Sequence, residues 1–329
     1  MPLPQGLAGA VIVITGASSG IGAETAVQLA RRGAAVVLAA RSASALDVVV
    51  GQCREAGGRA IAQPTDVRDL AAVRALGAAA VGTFGRVDAW VNCAAVGTYA
   101  RFDEDAIDSF RTVIETNLLG TANGCAVALA HLRRNGGGVI VNIASILAEV
   151  SMPHFSGYNV SKHGIRGLGN AIRQELIADG DERISICTVL PGSVNTPFFD
   201  NAANRTGRAV RPPPPTYPVR LVSRRIVAAL EHPRREVYVG AVAGLLGLSW
   251  RAAPARTERL IGRYAAHFQF ANGRAPDTDG NLHRPLSAGL HEGEWLDLRH
   301  LNRAAVAGSG LTLVAAAALR RRWRRRSKG

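Results

Sequence analysis

The sequence predicts an α/β fold, a doubly wound parallel sheet of about seven strands with a C-terminal helical extension, on three observations. Short β-branched runs alternate with helical patterns over most of the 329 residues. Several of these runs are apolar throughout rather than alternating, as parallel strands covered on both faces are. The segments between them are long enough to be crossover helices. The chain can form one large α/β domain with an appendage, and 47% hydrophobic against 19% charged residues excludes a disordered polymer.

Strands are expected at residues 10–14, 35–39, 59–63, 87–92, 138–143, 184–190 and 236–240. After the first, Ile21, Thr25 and Leu29 recur at four-residue spacing, Arg31 and Arg32 fall in the last turn, and Gly33 supplies the stop, so this segment reads as a helix on the sheet. Ile165, Leu168, Ile172 and Leu176 form a second such stripe. Four consecutive prolines, Pro212 to Pro215, predict an extended, stiff loop over 201–218. Residues 241–270 read as helical with an interruption at Pro254, and 271–300, rich in Gly, Pro, Asp and Asn, as loop. The expected division is 1–240 for the sheet domain, 241–303 for the extension, and 304–329 for an apolar stretch with a basic tail.

The net charge of +14 overstates the body of the chain, because residues 320–329 hold six arginines, one lysine and no acid. Without them 32 basic residues face 25 acidic ones. Only Lys162 and Lys328 are lysines, so the arginine bias reads as compositional, and no nucleic-acid partner is expected. Aromatics at 5% argue against a base-stacking platform. Cys53, Cys93, Cys125 and Cys187 lie far apart, without metal-ligand spacing; they read as buried thiols in a reducing compartment, and no metal is expected. Residues 1–10 carry no basic leader, so no secretory signal is expected and the location is cytoplasmic.

The first strand runs into Thr15-Gly16-Ala17-Ser18-Ser19-Gly20-Ile21-Gly22, which opens a helix. Glycines there let the backbone approach a pyrophosphate, and the free N–H groups of the helix start favour negative charge, so the turn predicts a dinucleotide site. At the end of the second strand, Ala39-Ala40-Arg41-Ser42 offers no acid to accept from ribose hydroxyls but a guanidinium suited to a 2′-phosphate, so NADP is expected ahead of NAD.

Tyr158-Asn159-Val160-Ser161-Lys162 puts a phenol and an ammonium one helical turn apart on one face. A cation beside a phenol stabilises the phenolate, which equips the pair for proton transfer to or from an alcohol oxygen. Ser145, just past the fifth strand, falls at the carboxyl edge of the sheet, where its hydroxyl can hydrogen-bond a substrate oxygen. Asn117 is the remaining polar candidate. His163 points about 100° round the helix from Lys162 and reads as structural.

The Gly-x-x-x-Gly-x-Gly spacing of residues 16–22, together with Asn117, Ser145, Tyr158 and Lys162 in order and spacing, resembles the short-chain dehydrogenase/reductase family over about residues 8–240. The resemblance implies a Rossmann-type fold and an NAD(P)-dependent enzyme. It makes Tyr158 the general acid/base, with Lys162 lowering its pKa and binding the nicotinamide ribose. Ser145 would orient the substrate carbonyl, and Asn117 would hold a water leading to Lys162. It assigns the dinucleotide to Thr15, Gly16, Ser18, Ser19, Gly20, Ile21 and Gly22 of the turn, to Arg41, and to Asp66 and Val67 at the adenine. Asn92 and Ala94 follow, in Asn92-Cys93-Ala94-Ala95, where the family usually has Asn-Asn-Ala-Gly or Asn-Ala-Gly. Pro191-Gly192-Ser193-Val194-Asn195-Thr196 resembles the PGxVxT segment, implying that Pro191, Gly192, Val194 and Thr196 hold the nicotinamide carboxamide.

Val150, Met152, Phe155, Phe198 and Phe199 make an apolar rim, which fits an uncharged hydrophobic ketone, aldehyde or alcohol and equally a lid closing over the cofactor. The function expected is NADP-dependent interconversion of such a carbonyl and its alcohol; the alternatives are a non-catalytic dinucleotide-binding protein and a membrane-tethered scaffold. Residues 304–319 are sixteen uncharged residues, about 24 Å as a helix and short of the ~30 Å hydrocarbon core. With Arg320 to Arg326 and Trp323 behind them, a tail anchor at the anionic inner face of the membrane and a soluble tail both fit. The family also implies a homo-oligomer, commonly through the helices starting near Glu104 and Ser156.

Overall fold

The computed structural model describes residues 3, 6–103, 107–286, 290–293 and 295. Seven parallel strands form the central sheet: β1 (Val11–Thr15), β2 (Ala35–Ala40), β3 (Arg59–Pro64), β4 (Ala89–Asn92), β5 (Gly138–Ile143), β6 (Ile184–Pro191) and β7 (Glu236–Val239), in the order β7-β6-β5-β4-β1-β2-β3. Each lies within about two residues of its expected place, and β1, β4 and β5 are buried along their whole length. Side chains alternate between two separate cores. Ile12 and Ile14 join Leu29, Leu46, Ile226 and Leu230 on one face, while Val11 and Val13 join Leu76, Leu132, Ile172 and Leu176 on the other.

The first core is closed by α1 (Gly20–Arg31) and α2 (Ala43–Glu55), the second by α3 (Leu70–Phe84). A continuous helical stretch follows, made of α4 (Ile107–Ile114), a π-helical turn over Glu115–Leu119, and α5 (Gly120–Arg134). Then come α6 (Ser156–Ala178), which backs the second core, and α7 (Val219–Glu231), which packs on α1 where Gln28 Nε2 donates to Ser223 Oγ at 2.7 Å. The chain leaves β1 toward β2 on one side and reaches β4 on the other, so the order reverses between β1 and β4 and a crevice opens at their carboxyl ends.

Beyond β7 come α8 (Ala241–Ala252) and α9 (Pro254–Phe268), with Pro254 in the first turn of α9, where its missing N–H costs nothing. Just before the proline-rich loop, Phe198–Asn201 makes a helical turn; within the loop, Ala203–Asn204 pairs with Thr98–Tyr99 and Arg208–Val210 pairs antiparallel with Phe270–Arg274. Long-range backbone pairing, invisible to local composition, ties the loop down. The 304–319 stretch, the basic tail and Glu104 lie outside the described residues; among those described, no helix is long and apolar enough to cross a membrane.

Candidate active site

The glycine turn is set by close packing. Gly16 has φ 68°, and a Cβ there would lie 2.7 Å from the Ala94 Cα, so any side chain would push the turn off the end of β4. At Gly22 a Cβ would collide with the Gly16 carbonyl. Thr15 Oγ1 accepts from the Cys93 and Ala94 amides at 3.1 and 3.3 Å, fixing the two strand ends together. Ser19, at the N-cap of α1, makes no side-chain capping bond, and the first turn of α1 holds no acid. The turn therefore offers backbone N–H groups and a helix dipole to an anion, a donor set that fits a dinucleotide pyrophosphate.

Around it lie the other residues expected to bind a dinucleotide. A Cβ on Gly20 would be 3.3 Å from Thr196 Cβ, which puts the Pro191–Thr196 segment against the turn, and Gly192 N donates to Val239 O at 3.0 Å. Arg41 at the end of β2 is half-buried, which pulls its guanidinium below its usual pKa, while Asp66 pulls the other way. Asp66 is held by Arg68, whose Nη2 lies 2.6 Å from Oδ2 and keeps the carboxyl below its ordinary range against the opposing effect of burial. Val67 closes on Gly120, where a Cβ would touch its Cγ2 at 2.5 Å. The Asn92 side chain turns away from the turn into a buried network, accepting from Trp90 Nε1 and donating to Asn142 Oδ1, each at 2.9 Å, so it contributes to the sheet beneath the cleft.

Ser145, Tyr158, Lys162 and Asn117 converge. Ser145 caps the 3₁₀ turn Ile146–Ala148, its Oγ accepting from Leu147 N at 3.1 Å, and its hydroxyl lies near enough to the Tyr158 phenol to favour the phenolate. Lys162 is 2% exposed; its Nζ donates to Ile143 O at 2.8 Å and stands 5.2 Å from the Tyr158 ring centroid. Burial pulls the ammonium down to about 8, with Cys93 opposing. The phenol behaves differently from the sequence expectation. Burial raises the Tyr158 pKa above the ordinary tyrosine value, with the nearby Ser145 hydroxyl acting in the other direction, while the Lys162 ammonium is turned to the β5 carbonyl.

Asn117 sits inside the π-helical turn, a feature with no signal in the local composition. Its amide clamps Val96 from both sides, accepting from N at 2.8 Å and donating to O at 2.9 Å, and its Nδ2 donates to Ser161 Oγ at 3.1 Å. It thus couples the β4 loop to the turn of α6 that carries Lys162. His163 Nδ1 lies 2.9 Å from Asn159 O within its own helix, as a structural residue would.

Next to Tyr158 is an aromatic wall. Phe155 stacks on it at 4.4 Å between centroids, Tyr99 stacks on Phe155 at 4.2 Å, and Phe198 tilts over Tyr158 at 5.3 Å. Val150, Leu147 and, from the extension, Ala243 and Ile261 complete this cluster. The sequence missed the polar knot behind it. Glu149, 2% exposed at its side chain, accepts at Oε1 from Tyr238, Arg251 and Arg166 at 2.5, 2.6 and 2.8 Å, and Arg166 also pairs with Glu236 at 2.6 Å.

A parallel seven-stranded sheet, a glycine turn at its switch point and a Ser–Tyr–Lys set at the same edge describe a dinucleotide-dependent oxidoreductase. The family model for short chain dehydrogenases matches residues 10–206, and the chain belongs to the short-chain dehydrogenase/reductase family as an NAD(P)-dependent enzyme. It is 31% identical over 284 residues to the uncharacterized oxidoreductase YxnA of Bacillus subtilis (strain 168), covering 86% of this chain and 80% of that protein. It is 37% identical over 194 residues to 3beta-hydroxysteroid dehydrogenase 1 of Eggerthella lenta, covering 58% of this chain and 73% of that one. A crystal structure described as a short-chain alcohol dehydrogenase from Sinorhizobium meliloti 1021 is 32% identical and superposes with a TM-score of 0.55 over 58% of this chain and 75% of its own.

Proposed function

We propose that the enzyme interconverts an uncharged, hydrophobic ketone or aldehyde and its alcohol, using NADP, with Tyr158 as general acid/base. The observation that carries this reading is the buried Lys162, its Nζ 5.2 Å from the Tyr158 ring centroid and bonded to the Ile143 carbonyl, with Ser145 beside the phenol at the sheet edge where the glycine turn opens. The bound dinucleotide supplies or takes up a hydride. Tyr158, with its pKa raised, keeps its proton at neutral pH and gives it to a carbonyl oxygen, which favours reduction. Ser145 hydrogen-bonds the same oxygen as charge develops there, and Lys162 provides the cation that steadies the phenolate left behind. Wall residues Tyr99, Phe155 and Phe198 suit an apolar substrate, and the Eggerthella lenta relative is named for a hydroxysteroid, an apolar secondary alcohol. Leu119, Val160 and Ile177, exposed on the π-helical turn and α6, support a homo-oligomer, and a cytoplasmic location fits four free thiols.

Following NADPH absorbance against a panel of cyclic and aromatic ketones, aldehydes and charged keto acids tests the reading. Consumption with apolar carbonyls is expected, and none with any carbonyl would overturn it. The cofactor choice rests on Arg41. Arg41→Ala is expected to raise the Kd of NADPH about tenfold more than that of NADH in a fluorescence titration, the loss of a charge-assisted phosphate contact. Equal weakening of both dinucleotides would remove the NADP assignment.

A further inference from the structure

The extension touches the cofactor side of the molecule as well as the substrate side. Arg41 Nη1 donates to Leu282 O at 2.9 Å and its Nη2 donates to Asn281 O, so the guanidinium assigned to the 2′-phosphate is gripped by two carbonyls some 240 positions along the chain. Leu290 O accepts from Gly20 N of the glycine turn at 2.9 Å. His291 is anchored between α1 and α2, with Nδ1 2.8 Å from Glu24 Oε2 and Nε2 2.7 Å from Gln52 Oε1. On the opposite bank Trp295 N donates to Asn195 Oδ1 at 3.2 Å and its Nε1 to Asp200 Oδ2 at 3.3 Å. All five residues lie past residue 206, where the match to the family model ends.

These contacts link the two banks of the crevice. One bank is the Gly16–Gly22 turn with Arg41; the other is the Pro191–Thr196 segment and the residues that follow it. The two carbonyls on Arg41 leave its guanidinium oriented while its remaining N–H groups stay available for an anion, and the Leu290 carbonyl takes the Gly20 N–H of the turn, leaving those of Ile21 and Gly22 to the pyrophosphate. We propose that Asn281, Leu282, Leu290, His291 and Trp295 form a clasp over the dinucleotide cleft, orienting Arg41 and tying the glycine turn to the 195–200 segment, so that this clasp sets how fast the dinucleotide leaves. The proposal rests on the dinucleotide site described above. Its residues act on binding and exchange and take no part in proton or hydride transfer.

The test uses the full chain carrying His291→Ala and Trp295→Ala together, since both anchors are side chains. NADPH release is followed by stopped-flow displacement, reading nicotinamide fluorescence. Loss of a hydrogen bond to the buried Glu24 carboxylate is expected to speed release at least about tenfold, with a smaller change in the association rate. Release within twofold of wild type, or slower, overturns the clasp. Wild-type protein that binds neither NADPH nor NADH overturns the underlying site instead, so the two failures are distinct. A second measurement needs no variant: wild-type protein is digested with a broad-specificity protease, and bound NADPH is expected to slow cleavage within 279–286 and 290–293 several-fold. Cleavage there at an unchanged rate also overturns the clasp.

Discussion

Tyr158→Phe is expected to lower kcat about 10³-fold or more while leaving the Kd for NADPH within about twofold, measured by single-turnover absorbance and by fluorescence titration. The magnitude is that of a positioned general acid. The substitution removes one oxygen and keeps the ring, and the ring is what Phe155 and Phe198 pack on. Ser145 also keeps its own role at the Leu147 amide, so the loop carrying it holds its shape. Turnover at wild-type rates with several carbonyl substrates would exclude Tyr158 from the proton path.

Lys162→Met has two effects of opposite sign. Turnover is expected to fall at least a hundredfold, because the phenolate loses its cation. The protein without dinucleotide is expected to become more stable near neutral pH. A lysine that titrates at about 8 in the folded chain and about 10.4 when unfolded is a group whose burial disfavours its charge. Between those values the unfolded chain binds the extra proton, so stability rises with pH through that window; below pH 8 the full cost of the buried ammonium is present, about 3 kcal/mol. Leaving the Ile143 carbonyl without its donor takes back about 1 kcal/mol. Urea unfolding should therefore find the variant about 2 kcal/mol more stable at pH 7, with the difference shrinking as pH climbs from 8 toward 10.4. A difference independent of pH would mean that the ammonium is not desolvated as its surroundings imply.

The sheet was legible because both of its faces are covered, which turns each strand into a dense apolar run that stands out from the amphipathic helices. Gly16, Tyr158 and Lys162 were legible because chemistry fixes their spacing along a single turn or helix. Three features were not. The π-helical turn at Asn117 adds a residue to a helix whose composition is ordinary, and the Val96 backbone that Asn117 clamps lies 21 positions away. The raised Tyr158 pKa depends on how deeply the ring is packed and on where Lys162 points, and neither is a property of the Tyr-x-x-x-Lys spacing. Asn281, Leu282, Leu290, His291 and Trp295 follow no periodicity, and several of their contacts are made by backbone carbonyls, which carry no sequence signature.

One carboxylate oxygen, Glu149 Oε1, serves four elements at once: its own loop just past Ser145, the helix that carries Tyr158 through Arg166, the last strand of the central sheet through Tyr238, and the first helix of the extension through Arg251. Such a junction makes the placement of the serine and the tyrosine a shared property of the network rather than a set of independent pairings. Changes at Arg166, Tyr238 and Arg251 are then coupled in their consequences: the first to be lost releases most of the constraint, and the later ones find little left to undo.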